Sequence, residues 1–470
     1  MTILIKNGTL ITAAETFRSD ILVDGEKISL IGRDLNAPAD QVIDASGKLV
    51  MPGGVDPHTH FDLPMFDTVS SDDHYTGHKA AAFGGTTTAM DFVSLDLATL
   101  RESVEAWRQK AAKAAIDYSF HMNLTRFDER IAGEIPALRS MGSNTLKVFT
   151  AYNRRLRLDD ESIFRAMRIA RDNGMLVMAH CENGDVIDTL VPEALAAGHT
   201  TPEWHALTRP AWGGIESTLR MAAMAAQTKA SVYIVHMNVA GEVDMLDYAR
   251  QRGAHVMGET CPQYLFFTID HLRRPDGSKW ICSPPMRGEE DNSRLWTGLQ
   301  NGTLQTIGTD HCPFFYDGTQ PILYEGQEVR IPGKELGRDD FTKIPNGLPG
   351  VQDRLPILWT YGVGAGRITA NQFVALNSTN PARIFGLYPR KGALLPGSDA
   401  DISIWDPSKR VNYGVKLSHQ RTDYNLYEGW ELVGYPERVF LRGRLIVDRG
   451  IWLGRAGQGQ FLERAEGEVL

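Results

Sequence analysis

The middle of the chain alternates short apolar segments with amphipathic helical segments. In three of the helical segments, 103–115, 161–174 and 214–227, apolar residues recur at the spacing of one helix face. The apolar segments have the length and composition of strands, and eight can be placed: 54–60, 86–93, 118–124, 145–152, 175–182, 231–238, 255–265 and 304–312. Strands that alternate with helices pair in parallel, and eight such units predict a closed (β/α)8 TIM barrel. The alternative is an open, doubly wound sheet.

The two ends of the chain have a different pattern. Asn-Gly, Asp-Gly and Ser-Gly pairs separate short β-prone runs within the first fifty residues, which is typical of β-hairpins. A similar pattern returns in 399–408 and 437–457. We therefore expect an α/β protein in which residues 51–388 form the barrel and residues 1–50 plus 389–455 form a small β-sandwich domain. Residues 456–470 would be a C-terminal tail.

Composition excludes several classes of function. The chain carries 49 Lys and Arg against 58 Asp and Glu, a formal net charge of −9, and has no basic tract. The sequence therefore has no positively charged segment of the kind that binds nucleic acid. No apolar run is long enough to span a bilayer. The four cysteines lie far apart, and the N-terminal sequence lacks the features of a signal peptide. These observations predict a cytoplasmic globular enzyme with reduced thiols, without nucleic acid or membrane as a partner.

Metal-binding side chains recur where the predicted barrel strands end, which is where a barrel of this kind builds its active site. The first strand ends in His58-Thr59-His60, and strand alternation directs both imidazoles to one face. Four other strands contribute Lys147, His180, His236 and Asp310. Imidazole and carboxylate groups suit zinc, cobalt, nickel or manganese, so the set predicts a divalent metal site.

Lys147 is the unusual member of this set. A lysine within a β-prone run such as LKVF ordinarily extends its ammonium to water or pairs with a carboxylate. In a barrel mouth, burial beside cations would lower its pKa and leave a neutral amine. A neutral amine can add CO2 to form a carbamate, whose two oxygens could bridge two metal ions. The residues alone leave both interpretations open.

An ordered set of motifs extends over nearly the whole chain. In chain order it comprises GGVDPHTHFDLP, SSDDHYTGHKAAAFGGTTTAMDF, LKVFTAY, VMAHCENGD, HALTRP, IVHMN, ETCPQYL, CSPPMR, IGTDHCPF and KELGRDDFTKIPNGLPGVQDR, followed by TDYNLYEGW. This set resembles the dihydropyrimidinases and D-hydantoinases, cyclic amidohydrolases of the binuclear-metal amidohydrolase superfamily. The resemblance implies hydrolysis of the cyclic amide bond of dihydropyrimidines and 5-substituted hydantoins to N-carbamoyl amino acids. The partner it implies is a small cyclic ureide.

The resemblance also implies roles for the metal ligands. His58 and His60 would hold the more buried of two divalent ions per subunit, and His180 and His236 the more exposed one. Lys147, modified by CO2 to N6-carboxylysine, would bridge both ions. Zinc is the expected metal, with manganese, cobalt or nickel as alternatives. The family further implies a homotetramer or homodimer.

Two residues would carry the catalytic steps. Asp310, a ligand of the buried ion, would take the proton of a hydroxide that bridges the ions and pass it to the leaving nitrogen. Tyr152, five residues after Lys147, would donate to the developing oxyanion. The alternative for Tyr152 is an aromatic residue that packs behind its strand.

Further positions match those that hold the substrate in the family. Ser283 and Asn346 would bind the amide groups of the ring, largely through backbone N–H and C=O groups; otherwise each is a plain turn residue. Four apolar residues match the pocket for the exocyclic substituent: Leu63, Met65, Phe149 and Leu156. The neighbouring Arg154, Arg155 and Arg157 would favour an anionic substituent if they pointed inward. Charged side chains ordinarily face water, so we expect an apolar pocket for phenyl or alkyl groups.

Three related functions compete with this interpretation. Non-enzymatic assembly proteins related to the family have lost metal ligands, whereas every ligand position is filled here. Dihydroorotases have a motif that resembles HxHxR, in which the arginine pairs with a carboxylate of the substrate. This chain has Asp62 at the position of that arginine. Allantoinase is a closer alternative, because allantoin is itself a substituted hydantoin; Tyr152 and the PNGLPG segment favour dihydropyrimidinase.

The segment between Asp310 and Asn346 is longer than the family pattern leads us to expect. The extra length includes TQPILYEGQEVRIPG, residues 319–333. We expect this insert to form a hairpin, either at the barrel mouth or at an interface.

Overall fold

The structure is a computed structural model that describes residues 1–65, 68–318, 321–324 and 327–470. Its strands are β1 (Thr2–Ile11), β2 (Thr16–Asp24), β3 (Lys27–Gly32), β4 (Gln41–Asp44), β5 (Leu49–Pro52), β6 (Gly54–Thr59), β7 (Pro64–Met65), β8 (Thr68–Val69), β9 (Thr86–Val93), β10 (Asp117–Asn123), β11 (Thr145–Phe149), β12 (Leu176–His180), β13 (Val232–Ile234), β14 (Val256–Thr260), β15 (Thr306–Ile307), β16 (Pro321–Tyr324), β17 (Gln327–Arg330), β18 (Ile402–Asn412), β19 (Glu431–Leu441), β20 (Arg444–Asp448) and β21 (Ile451–Trp452).

The α-helices are α1 (Thr76–Phe83), α2 (Leu100–Lys110), α3 (Glu129–Glu134), α4 (Ala137–Ser140), α5 (Asp160–Asp172), α6 (Gly184–Ala196), α7 (Glu203–Leu207), α8 (Ala211–Thr228), α9 (Ala240–Arg250), α10 (Pro262–Phe266), α11 (Ile269–Leu272), α12 (Glu289–Asn301), α13 (Arg354–Leu358), α14 (Ala370–Val374) and α15 (Asn380–Ile384). Short 3-10 turns cover Ala111–Lys113, Gly277–Trp280, Lys334–Gly337 and Phe341–Lys343. Turns of π-helix cover Trp359–Val363 and Ala375–Thr379.

Among the described residues, eight parallel strands form a barrel in the order β6, β9, β10, β11, β12, β13, β14 and β15. The ring closes at the carboxyl ends of β6 and β15. There the amide of Asp310 donates to the carbonyl of His58 at 2.9 Å, and the amide of His60 donates to the carbonyl of His311 at 2.8 Å. The predicted TIM barrel is therefore confirmed, and the alternative of an open sheet is wrong.

Helix α5 illustrates how the barrel helices form. The side chain of Asp159 accepts a hydrogen bond from the amide of Ser162 and so caps the helix. Its buried residues follow the helical spacing: Ile163, Ala166, Met167 and Ala170. This apolar face packs against β11 and β12, which removes it from water. Of the described helices, none is both long and apolar enough to cross a membrane.

Strands from both chain ends form a second, mixed sheet. Its order is β21, β20, β19, β18, β5, β1, β2 and β3, with β4 also paired to β1. Strand β5 joins the two ends, because it pairs in parallel with β1 and antiparallel with β18. Ile5, Ile21 and Ile402 belong to a separate apolar core of this sheet. The terminal β domain is confirmed, although β5 ends at Pro52, two residues beyond the predicted boundary.

The last residues, predicted as a tail, lie against the amino ends of the barrel strands. The amide of Leu462 donates to the carbonyl of Tyr118 at 2.7 Å. The guanidinium of the buried Arg464 donates to the carbonyl of Phe120 and, at 2.8 Å, to Oγ1 of Thr145. These contacts seal the end of the barrel opposite to the strand ends that carry the predicted site.

The insert after Asp310 forms a hairpin, in which β16 pairs antiparallel with β17. Its Ile322 and the following Ile331 join Val69 and Phe315 in one apolar cluster. Because Val69 belongs to β8, the hairpin lies against the loop that follows β6, at the barrel mouth. Of the two predicted locations, the mouth is the one observed. Four residues of the insert, Thr319, Gln320, Glu325 and Gly326, lie outside the described residues.

Candidate metal centre and active site

Three of the predicted ligands meet where β6 and β15 end. Asp310 Oδ1 lies 3.1 Å from Nε2 of His58 and 3.1 Å from Nε2 of His60. One ligand atom from each of these three residues lies within 4.8 Å of the others. His58 lies in β6 and His60 directly follows it, and the centroids of the two rings are 5.2 Å apart.

His180 and His236 form a second group beside the first. Nδ1 of His180 lies 3.0 Å from Nε2 of His236. The ring centroids of His58 and His236 are 5.4 Å apart, so the two groups share one cavity. Burial, followed by the neighbouring His180, holds the pKa of His236 well below its usual value. His236 is therefore a neutral imidazole, which is the form that binds metals.

Lys147 extends between the same side chains. Its Nζ lies 5.0 Å from the ring centroid of Phe92, and that ring packs against both His58 and His60. The side chain is buried, and within the described residues its amine makes no hydrogen bond or ion pair. Burial lowers the pKa of Lys147 to about 8, although Asp310 and Glu259 oppose that shift. This shift increases the fraction of neutral amine near neutral pH.

Two carboxylates that were not predicted from the sequence fix the orientation of the histidine rings. Oε1 of Glu259 lies 2.7 Å from Nδ1 of His58 and accepts a hydrogen bond from the amide of His236 at 3.1 Å. Oε2 of Glu182 lies 2.8 Å from Nε2 of His180. Each contact occupies one ring nitrogen and leaves the other facing the centre, as in carboxylate–histidine–metal arrangements. Both glutamates follow or end a buried barrel strand, which is the signal that could have identified them.

The donor set fits a pair of divalent cations. It combines four imidazoles, one carboxylate and a buried amine that has no counterion among the described residues, all at the open end of the barrel. The backbone is strained at the same place, since φ is +52° at Asp310, +40° at His236 and +63° at Tyr152. Positive φ at non-glycine residues persists only where the surroundings enforce it, and such residues concentrate at functional sites.

Tyr152 lies against this centre. Its ring centroid is 5.1 Å from that of His180, and the side chain also lines a cleft. Burial, reinforced by the carboxylate of Glu182, raises the pKa of Tyr152. The phenol therefore keeps its proton and can act as a hydrogen-bond donor.

The two predicted ring-binding residues are in contact. Nδ2 of Asn346 donates to Oγ of Ser283 at 3.2 Å. The same Oγ lies 3.1 Å from Nε2 of His205, which also contacts the carbonyl of Cys282 at 2.9 Å. His205 was not predicted, although it stands in the HALTRP motif. The structure thus brings Ser283 and Asn346 together, and Asn346 lines the cleft.

The cleft has a volume of about 750 Å³. Its lining residues are Met65, Thr68, Tyr152, Asn153, Arg155, Asp188, Arg209, Leu336, Thr342, Lys343, Pro345 and Asn346. Of the four predicted apolar pocket residues, Met65 lines the cleft and Phe149 packs 6.2 Å from Tyr152, measured between ring centroids. Leu63 and Leu156 are half-buried and are not among the described residues that line it.

The three arginines of the basic loop differ in their surroundings. Arg157 donates to Oδ1 of Asp185 at 2.5 Å and to Asn153 at 2.9 Å, so its charge is compensated. Arg154 is exposed. Arg155 is exposed but lines the cleft, which is therefore more polar at its rim than predicted.

Comparison with known proteins places the chain among hydrolases of cyclic amides. The profile of the Amidohydrolase family matches residues 49–454. The chain is 43% identical to a D-hydantoinase of Geobacillus stearothermophilus, over 99% of this chain and 97% of the relative, and 38% identical to a D-phenylhydantoinase of Escherichia coli over 99% and 98%. The crystal structure of dihydropyrimidinase from Brevibacillus agri superposes with a TM-score of 0.94 at 44% identity, covering 100% of both chains.

Proposed function

The chain belongs to the amidohydrolase family and hydrolyses cyclic ureides in the manner of D-hydantoinases and dihydropyrimidinases; from this premise we propose how its residues carry the reaction. The observation that carries the proposal is the convergence of His58, His60, His180, His236, Lys147 and Asp310 at the mouth of one barrel. The family implies a binuclear divalent metal centre, and these six side chains are its proposed ligands. The alternative of an allantoinase is not favoured.

Lys147 is the proposed bridge between the two ions, as N6-carboxylysine. Its burial, its lack of a counterion within the described residues and its lowered pKa all favour the neutral amine that adds CO2. When bound, the ions would make water acidic enough to attack at neutral pH and would polarise the ring carbonyl. Zinc is the proposed metal, with manganese, cobalt or nickel as alternatives.

Asp310 is the proposed proton carrier. It would accept the proton of the attacking water and deliver it to the nitrogen that leaves when the ring opens. Glu259 orients His58 and the backbone of His236, so that the imidazoles keep their direction during the reaction.

Tyr152 would donate its phenolic proton in a hydrogen bond to the oxygen that becomes anionic in the transition state. Ser283 and Asn346 would hold the amide groups of the ring. Leu63, Met65, Phe149 and Leu156 would contact the exocyclic substituent, and we propose that phenyl and alkyl groups are accepted there.

A substrate panel with metal analysis tests the proposal. We expect hydrolysis of dihydrouracil, hydantoin and phenylhydantoin, about two equivalents of divalent metal per chain, and loss of activity after chelation. Each product should be the N-carbamoyl amino acid. A preference for allantoin over all three compounds, or full activity in a metal-free sample, would contradict the proposal.

The variant Lys147→Ala tests the bridging role. Because it removes the only proposed ligand of both ions, metal content and turnover should fall sharply. A short carboxylic acid added to the buffer should restore part of the activity by occupying the vacated space. Full metal content and full turnover in this variant would show that Lys147 is only structural.

The assembly is proposed from the same relatives. We propose that the chain forms a homotetramer or homodimer. Light scattering of the purified protein distinguishes these states from a monomer, whose observation would contradict the proposal.

A further inference from the structure

Lys334 is a buried lysine that the reaction scheme above does not use. It stands just after the hairpin β16–β17, at the start of the 3-10 turn Lys334–Gly337, and its side chain is 1% exposed. Its Nζ donates to the carbonyl of Ile281 at 3.1 Å and to the carbonyl of Pro345 at 3.1 Å. Within the described residues it has no carboxylate partner.

A buried lysine ordinarily has a negatively charged partner, because burial of an isolated ammonium is costly. Lys391 follows that rule, since its Nζ lies 2.6 to 3.0 Å from the carboxylates of Asp117, Asp399 and Asp401. At Lys334 only carbonyl oxygens compensate the charge. Burial lowers the pKa of Lys334 to about 7, against the opposing influence of Cys282 and Cys312. Both the ammonium and the neutral amine can donate to the two carbonyls.

The two carbonyls belong to the segments that hold the substrate ring. Ile281 precedes Ser283 by two residues, and the carbonyl of Pro345 is part of the peptide unit whose N–H belongs to Asn346. The carbonyl of Ile281 also accepts the amide of Gly347 at 3.1 Å. Lys334 therefore ties together the two chain segments that carry Ser283 and Asn346.

We propose that Lys334 is a positioning residue, which sets the distance between the Ser283 and Asn346 segments so that both can bind the amide groups of one ring. This inference rests on the proposed hydrolase function. By donating to the carbonyl of Pro345, Lys334 also polarises the peptide unit that presents the N–H of Asn346. A cyclic ureide has hydrogen-bond donors and acceptors at fixed separations. A larger distance between these segments therefore weakens ring binding more than it affects the metal centre.

The variant Lys334→Met tests the proposal, because it keeps the length of the side chain and removes every donor. We expect KM to rise about tenfold for both dihydrouracil and hydantoin, which corresponds to the loss of roughly one hydrogen bond. The turnover number should change less than KM, and the metal content should stay at the wild-type value. A lysine that only anchors the hairpin would lower the melting temperature and leave KM unchanged.

A matched control is Lys48→Met. Lys48 is partly buried in the terminal sheet and pairs with Asp406 at 2.8 Å and Glu437 at 2.7 Å. Its loss should lower stability without changing KM, which separates a general loss of stability from the positioning effect.

A second variant covers the case in which Lys334→Met does not fold. Lys334→Gln retains an N–H donor with a shorter reach, so KM should lie between those of the wild type and of a donor-free side chain. If folded Lys334→Met, with full metal content, has a KM within twofold of the wild type, the positioning role is wrong. If only Lys334→Gln folds, a KM equal to that of the wild type contradicts the role in the same way. That result would leave the proposed function intact, whereas a wild-type protein that hydrolyses none of the cyclic ureides would contradict the function itself.

Discussion

At the scale of single residues, the carboxylates behind the histidines decide which ring nitrogen faces the centre. Glu259 occupies Nδ1 of His58, and Glu182 occupies Nε2 of His180. The opposite nitrogen of each ring is then directed towards the place where Asp310 and Lys147 converge. The orientation of the proposed ligands is therefore determined by residues that would not themselves touch a metal ion.

The variant Tyr152→Phe tests the proposed oxyanion donor. The hydroxyl would meet negative charge that exists only in the transition state, so we expect kcat to fall about a hundredfold, with a much smaller change in KM. Phenylalanine keeps the ring contact with His180, so the fold and the metal content should be retained. An unchanged kcat would assign Tyr152 to packing alone.

His74 gives a prediction about the pH dependence of stability. Its Nδ1 lies 2.8 Å from Asp62 and its Nε2 lies 3.0 Å from Asp91, all three residues being buried. Burial opposes the charged form, but the two aspartates raise the pKa of His74 to about 9. The two contacts stabilise the folded protein fully at pH values below about 6.5, which is the pKa of histidine in the unfolded chain. This contribution is lost as pH rises through about 9, the pKa of His74 in the folded protein.

We therefore compare the wild type with His74→Gln by thermal or denaturant unfolding at several pH values. The difference in unfolding free energy should be largest near pH 6, up to about 3 kcal/mol, and should shrink towards pH 10. Titrating groups that do not interact with His74 are present in both proteins and cancel in the difference. A difference that stays constant between pH 6 and pH 10 would show that His74 is neutral in the folded protein.

The proposed ligands could be predicted because strand alternation is a local rule. His58 lies in β6 and His60 directly follows that strand, so their common direction could be expected from the two-residue spacing alone. Glu259 and Glu182 could not be assigned in this way, because their partners lie on other strands and depend on the register of the closed barrel. Lys334 was missed for a related reason, since it follows an insert that carries no periodic signal.

At the scale of elements, the hairpin β16–β17 supports the loop that carries Met65. Ile322 packs with Val69, and Oγ1 of Thr68 donates to the carbonyl of Pro332 at 2.6 Å. The strands β7 and β8 are only two residues each, so they depend on this contact for their position. The presence of a hairpin was predictable from the sequence, but the surface on which it packs was not.

The variant Ile322→Ala should loosen this contact. Removing a buried isoleucine side chain costs about 2–5 kcal/mol, here confined to a small cluster at the mouth. We expect faster hydrogen exchange at the amide of Ser70, which donates to the carbonyl of Leu63, and a larger rise in KM for phenylhydantoin than for dihydrouracil. Val329→Ala, a partly buried position on the same hairpin, is the control. Equal changes in KM for both substrates would contradict a role of the hairpin in holding the substituent pocket.

At the scale of the whole molecule, an ion cluster joins the barrel to the terminal sheet. Lys391 contacts Asp117 of β10 as well as Asp399 and Asp401, which lead into β18. Asp399 also pairs with Lys27 of β3 at 2.6 Å. The junction is therefore made by charges from three distant parts of the chain.

Replacing, one at a time, the two lysines that contact Asp399 measures how much this junction contributes to the free energy of unfolding. Lys391→Met removes the buried cation that contacts all three aspartates, and we expect a loss of about 3–5 kcal/mol in the free energy of unfolding. Lys27 is half exposed, so Lys27→Met should cost less than about 1 kcal/mol. If both variants lose the same free energy of unfolding in denaturant, the cluster contributes no more to stability than an ion pair on the surface.

The pairing of β5 with β18 has a consequence for synthesis on the ribosome. Strand β5 emerges early, but its antiparallel neighbour begins at Ile402, roughly 350 residues later. At typical elongation rates, β5 waits about 20–70 s for that partner. Throughout this interval the nascent chain exposes an unpaired strand edge next to a barrel that is still being translated. Such an edge can pair with another chain, so the risk of wrong strand pairing lasts until β18 has been translated.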